Sequence, residues 1–208
     1  MGRIGWHVLL FRQTPDTMRL LPLQLTSIAL VLLSACGSEP SKDPIAEAKF
    51  QNEKRIGEEN VTEKQERDAE FIVRAASQSM LAVEMSQIAQ RKATSPDVKN
   101  LAQTIVGEYT TMQAALKQLA GRKNLVLPTS LGEKQSEPLG ELAALNGPGF
   151  DQKYVELLED SHKASIDEFD EMSDEAYDGD IRAFAANHLA TLKNHRDAAD
   201  KLADQLNK

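Results

Sequence analysis

The stretch "TSPDVKNLAQTIVGEYTTMQAALKQLAG", Thr94 to Gly121, decides the fold class. Ser95 supplies an N-cap oxygen, Pro96 stands at the first helical position where its missing N–H is not needed, and Asp97 places negative charge in the first turn. Val98, Ala102, Ile105, Tyr109, Met112, Leu116 and Leu119 then recur at alternating spacings of four and three, the phase of one apolar helical stripe. The helix is expected to run to about Ala120, with Gly121 ending it.

Working outward, the same phase returns on both sides. Upstream, about Asp68 to Lys92 carries Ile72, Ala76, Ser79, Val83 and Ser86 on one face. Downstream, "NGPGFD" opens a helix from about Phe150 to Tyr177 with Tyr154, Leu158, Ser165, Phe169, Met172 and Ala176 inward. After the break at "DGD", Asp178 to Asp180, a last helix from about Ile181 to Leu206 places Ile181, Ala185, His188, Leu192, His195, Ala199, Leu202 and Leu206 on its stripe. The link "GRKNLVLPTSLGEKQ" is longer than two neighbouring helices need, and a short helix of about Glu137 to Leu145 is expected after it. Four long amphipathic helices with one long and two short connections predict an all-α, four-helix bundle over 68–208. Neither an internal repeat nor a glycine-rich phosphate loop is evident.

The first 67 residues read differently. "LLPLQLTSIALVLLSA", Leu20 to Ala35, is apolar and preceded by Arg19, the layout of a secretory signal; Met18 is a second candidate start. It is too short and too interrupted to span a membrane. "LSAC" ends on Cys36, the single cysteine of the chain, and resembles the lipobox of bacterial lipoproteins, in which the thiol is lipidated and the peptide cut before it. Several acyl chains on one residue give stable membrane anchoring. Gly37 after the cysteine favours the outer over the inner membrane. Residues 36–67 are then the lipidated cysteine and a charged, flexible tether, poor in large apolar side chains.

Composition excludes some partners. The chain carries a net charge of −8, and loss of residues 1–35 removes Arg3, Arg12 and Arg19 against Asp16 alone, so nucleic acid is not an expected partner. With one cysteine, no disulfide forms within the chain. Hydroxyls near acids or histidine occur in "GEYTTM" and "EDSHKAS", but no strand-turn-helix elbow exposes a nucleophile, and no catalytic residues are assigned.

The chemistry-bearing residues sit on the inward stripes. His162, His188 and His195 face the core, where a charged imidazole is costly, so each is expected neutral and partnered. Glu108 and Tyr109 reach the inward side of the Thr94–Gly121 helix, and Glu159 with His162 forms E-x-x-H, a spacing that puts a carboxylate and an imidazole one turn apart.

The runs "VEMSQIAQRKATSPDVKNLAQTIVGEYTTM", "FDQKYVELLEDSHKASIDEF" and "LATLKNHRDAA" resemble the bacterial domain of unknown function 4142, over about Asp68 to Leu206. The resemblance implies a ferritin-like bundle in an exported or outer-membrane protein. Glu84, Glu108, Tyr154, His162 and His195 stand where the family pattern is marked. The family usually carries Asp-His where this chain has Glu108-Tyr109, so one imidazole of that pattern is missing here.

The favoured reading is a lipid-anchored, non-catalytic binding or structural module on the periplasmic face of the envelope. Tyr109, Tyr154 and His188 would join an inward polar network, and the partner would be the membrane together with an unidentified envelope protein or small ligand. The alternative is a metal-binding bundle with a redox or metal-handling role, a divalent metal held by Glu84, Glu108, Glu159, His162 and His195. A ferritin-type di-iron site wants a Glu from each of two helices and E-x-x-H from the other two. This chain has a single E-x-x-H on its third long helix and no glutamate on its fourth. Copper is a third reading, since Met80, Met85, Met112 and Met172 accompany the histidines.

Overall fold

The computed structural model describes residues 43–58 and 63–207. Cys36 and the signal-like segment lie outside them. Among the described residues there are six α-helices and no strand: α1 (Pro44–Glu58), α2 (Glu63–Lys92), α3 (Pro96–Arg122), α4 (Glu133–Ala144), α5 (Gly147–Glu175) and α6 (Gly179–Leu206). No helix among them is long and apolar enough to cross a membrane.

The core follows from the phased stripes. Every stripe residue of α3 from Val98 to Leu119 is buried, and these meet Phe71, Ile72, Met85, Tyr154, Leu158, Phe169, Leu192 and Ala199 in one continuous cluster. α2 packs on α3 and on α5, and α6 packs on α5 and on α3, so the four long helices close a ring. α4 lies in the long link and seats Leu142 in the same core. Gly147 enters α5 at φ +62, a conformation that suits a residue without Cβ. α3 passes Gly121 and ends at Arg122; two residues on, Asn124 takes the left-handed φ of 55 that asparagine tolerates, and the Leu125 N–H donates back to the Ala120 carbonyl.

α1 departs from the expected tether. Its Ile45 and Ala48 pack on Val73 of α2, with Val126 beside them. Asn52, buried, donates to the Val126 carbonyl (3.0 Å) and accepts the Val126 N–H (2.6 Å), so its amide reproduces a strip of backbone pairing. Arg55 donates to the Asn124 carbonyl at 2.7 Å. One amide, one arginine and a few small apolar residues suffice because the groove that receives them is already formed by α2 and the link after α3. Helix α2 likewise begins at Glu63, ahead of Asp68.

The two hairpins repeat each other, which sequence reading missed. One fixed offset along the chain carries Asp68 to Asp151, Lys92 at the end of α2 to Glu175 at the end of α5, and the N-cap Ser95 of α3 to the N-cap Asp178 of α6. The contacts follow the same offset. The Asp68 carboxylate accepts the N–H groups of Tyr177 (3.0 Å) and Asp178 (2.7 Å), while that of Asp151 accepts those of Thr94 (3.0 Å) and Ser95 (2.8 Å). Each hairpin therefore holds the turn of the other, and α2 must run antiparallel to α5. Identity between the halves is low because the offset keeps which positions are buried while the side chains that fill them differ, as Ser86 and Phe169 do.

Candidate functional site

Three helices bring polar groups to one buried point. Tyr109 and Glu108 come from α3, His162 from α5 and His195 from α6; Tyr109, His162 and His195 are all buried. Glu108 is not inward as expected. One residue off the Tyr109 phase turns it by about 100°, and its side chain is 49% exposed at the rim.

The contacts fix most of the proton positions. His162 Nδ1 lies 2.8 Å from the Leu158 carbonyl, which only accepts, so Nδ1 carries the hydrogen and Nε2 presents its lone pair. Tyr109 Oη is 3.1 Å from that Nε2 and donates to it. His195 Nδ1 faces the same Nε2 at 3.3 Å. On its far side, His195 Nε2 has the Glu108 Oε2 carboxylate oxygen at 2.7 Å, but out of line with the ring N–H direction, so this buried nitrogen has an ionic neighbour and no formed hydrogen bond. The rings pack accordingly, with Tyr109 stacked on His195 at 5.7 Å and edge-on to His162 at 5.8 Å.

Burial controls the titration of these groups. It pushes His162 down to about 4, a change that the Leu158 carbonyl opposes and the neighbouring His195 reinforces. His195 is also lowered by burial, with the Glu108 carboxylate pulling it part of the way back. Burial raises the phenols of Tyr109 and Tyr154, so both remain hydrogen-bond donors at neutral pH.

The other expected site residues lie elsewhere. Glu84 is exposed on α2. Glu159 is half-buried against Asp200 of α6, and its carboxyl is raised by burial first and by that neighbour next. Tyr154 bonds to Ser86 at 2.9 Å, tying α2 to α5 at a separate point. His188 is half-buried beside Phe184, ring centroids 4.6 Å apart, and burial lowers it; among the described residues the bonds of the cluster run between Tyr109, His162, His195 and the Leu158 carbonyl, and do not include it. Among the described residues no three His, Cys, Asp or Glu side chains converge to hold a metal. The five-residue set of Glu84, Glu108, Glu159, His162 and His195 thus does not assemble, and the residues do not fit a carboxylate-bridged di-iron centre. Glu84 is exposed, Glu159 is taken up against Asp200, and only Glu108, at the rim, reaches an imidazole.

Ser86, Asp68 and Asp151 were not singled out from sequence. Ser86 lay on the predicted stripe and its burial was legible; its tyrosine partner required the packing.

Comparison with known proteins agrees with this fold. The family model described as Domain of unknown function (DUF4142) matches residues 55–202. No curated protein matches the chain. Among solved structures, a DUF305 fragment from Deinococcus radiodurans is similar at TM-score 0.60 and 11% identity, covering 67% of this chain and 96% of that one. A DUF305 protein from Streptomyces coelicolor, described as secreted, is similar at TM-score 0.56 and 14% identity, covering 67% and 94%. At such identities the likeness is one of fold: helical, and shared over most of the described residues.

Proposed function

Because the chain belongs to the DUF4142 family, we propose that it is a lipid-anchored envelope protein whose folded part is a ferritin-like four-helix bundle acting as a non-catalytic binding or structural module. The observation that carries the reading is how the core polar groups are used. Tyr109, His162 and His195 engage one another across three helices, and Ser86 engages Tyr154, so these side chains fix helix register and offer no exposed nucleophile.

The ferritin-like description is supported by the ring of α2, α3, α5 and α6, with antiparallel hairpins joined by one long link. Anchoring is supported by "LSAC" ending on Cys36 after the apolar run of residues 20–35, and Gly37 favours an outer-membrane address facing the periplasm. The description of the Streptomyces coelicolor relative as secreted accords with export.

The test uses the full-length chain in a Gram-negative host fed a clickable fatty acid. The wild type should incorporate the label and fractionate with the outer membrane, whereas Cys36→Ser should stay unlabelled and be misprocessed or released. An unlabelled wild type, or a Cys36→Ser variant with unchanged fractionation, would refute the anchor.

A further inference from the structure

With both rings neutral, the imidazole pair at the centre of the bundle contains a conflict that hydrogen bonding alone does not resolve. His162 must keep its hydrogen on Nδ1 for the Leu158 carbonyl, so its Nε2 is an acceptor. The carboxylate of Glu108, 2.7 Å from His195 Nε2, favours a hydrogen on that nitrogen and leaves His195 Nδ1 an acceptor too. Two lone pairs then face each other at 3.3 Å inside the protein. The other neutral tautomer of His195 relieves that contact only by turning a lone pair toward the carboxylate. Tyr109 brings a single hydrogen, enough for one of the two facing nitrogens.

We propose that His162 Nε2, His195 Nδ1 and Tyr109 Oη form a mononuclear site for a late first-row transition cation of the Zn2+ or Cu+ class. The spacing fits. Donors held 2.0–2.1 Å from an ion at tetrahedral angles stand about 3.3 Å apart, and the two measured edges are 3.3 Å between the nitrogens and 3.1 Å between Tyr109 Oη and His162 Nε2. The outer shell fits as well. A metal-binding histidine typically gives its second nitrogen to a carbonyl or carboxylate, and here the Leu158 carbonyl and the Glu108 carboxylate stand at those second nitrogens. Glu108, half-exposed at the rim, adds a negative charge near the ion. Zn2+ would use all three donors, with Tyr109 binding as the phenolate and its proton released to solvent, whereas Cu+ needs only the two neutral imidazoles; neither arrangement suits the hard, oxygen-seeking cations.

The site goes beyond the structural role proposed above, which survives without it. The full-length chain, purified in detergent without chelators, is stripped of metal and titrated with Zn2+ and, under anaerobic conditions, with Cu+ against a chromophoric competitor. One ion per chain should bind and resist excess Mg2+, with imidazole scattering in its X-ray absorption spectrum. His195→Asn should abolish this uptake. Glu108→Gln, at a half-exposed position that leaves the core intact, should weaken it by about 10- to 100-fold, which keeps the test decisive even where the histidine variant does not fold. No retained ion in the wild type, or affinity unchanged by Glu108→Gln, overturns the proposal. So does nitrogen NMR showing that His195 stays a metal-free imidazolium under saturating Zn2+ and Cu+.

Discussion

Asp68 on α2 and Asp151 on α5 each close the turn of the hairpin to which the other belongs. Both carboxylates are buried, and each accepts consecutive backbone N–H groups that would otherwise be orphaned at the start of a helix. Truncating either residue leaves those donors unpaired, a loss of about 3 kcal/mol at hydrogen bonds to a charged group. Asp68→Ala and Asp151→Ala should therefore each lower unfolding stability by about that amount. Some 36 Å of α2 separates the two turns at about 1.5 Å per residue, so the losses should add in the double variant to within about 0.5 kcal/mol. Urea titration of the two singles and the double checks both statements; strong non-additivity would deny that the turns are independent clamps.

The imidazole of His162 makes the metal-free protein acid-sensitive. Its folded pKa of about 4 lies below the unfolded value of about 6.5. Between those values the unfolded chain binds more protons, so stability rises with pH. The contribution is fully present above about pH 6.5 and is lost as pH falls toward 4, up to about 3 kcal/mol at 1.36 kcal/mol per unit. His195 and His188, also lowered by burial, act in the same direction. Asp178 adds a lower window: burial works to raise it, but Lys123 and the N–H groups of Asp180 and Ile181 outweigh that and hold it below the usual carboxylate range. Chemical denaturation from pH 7.5 to 4 should give a falling stability, with a smaller slope in His162→Gln.

Much of this fold is legible in the chain because a helix buried on one side repeats its apolar positions every three or four residues. The stripe of α3 is buried at every position read from sequence, and the inward phase of His162 and His195 is correct. What periodicity cannot give is the partner. Glu108 differs from Tyr109 by one position, yet one lies at the rim and the other in the core. His188 sits on the stripe, but its ring lies beside a surface groove lined by Leu119 and Asn187 and is only half-buried. Asp68 and Asp151 read as ordinary helix-start acids because their ligands are backbone groups of a distant turn. The hairpin repeat is hidden for a related reason. It conserves burial, pairing Ser79 with His162 and Met112 with His195, and the candidate site is where that pairing changes chemistry.

Helix α1 tests how far the folded unit extends toward the amino terminus. Asn52 makes both of its bonds to Val126, one as donor and one as acceptor, and alanine can make neither. Asn52→Ala should release α1 locally while α2 to α6 stay folded, because only Ile45, Ala48 and Ile56 bury apolar surface on its side. Hydrogen exchange over residues 44–58 should accelerate by about 10- to 100-fold, corresponding to one or two lost hydrogen bonds. Unchanged protection there would show that apolar contact alone secures the helix.

The offset that relates the hairpins also relates two core contacts of different chemistry. Phe71 meets Phe169 edge-on at 5.0 Å near one pair of turns, and the positions that repeat them, Tyr154 and Ser86, meet through a 2.9 Å hydrogen bond. All four side chains are buried. The polar pair should thus be replaceable, provided both members change together. Tyr154→Phe strands the Ser86 hydroxyl, and Ser86→Ala strands the phenol; each should cost about 1–2 kcal/mol. The double variant removes both polar groups, so it should be less destabilised than the sum of the singles and give a coupling of about 1 kcal/mol in a double-mutant cycle. Additive losses would mean that the serine and the phenol each have another partner, and that the hydrogen bond contributes little to holding α2 against α5.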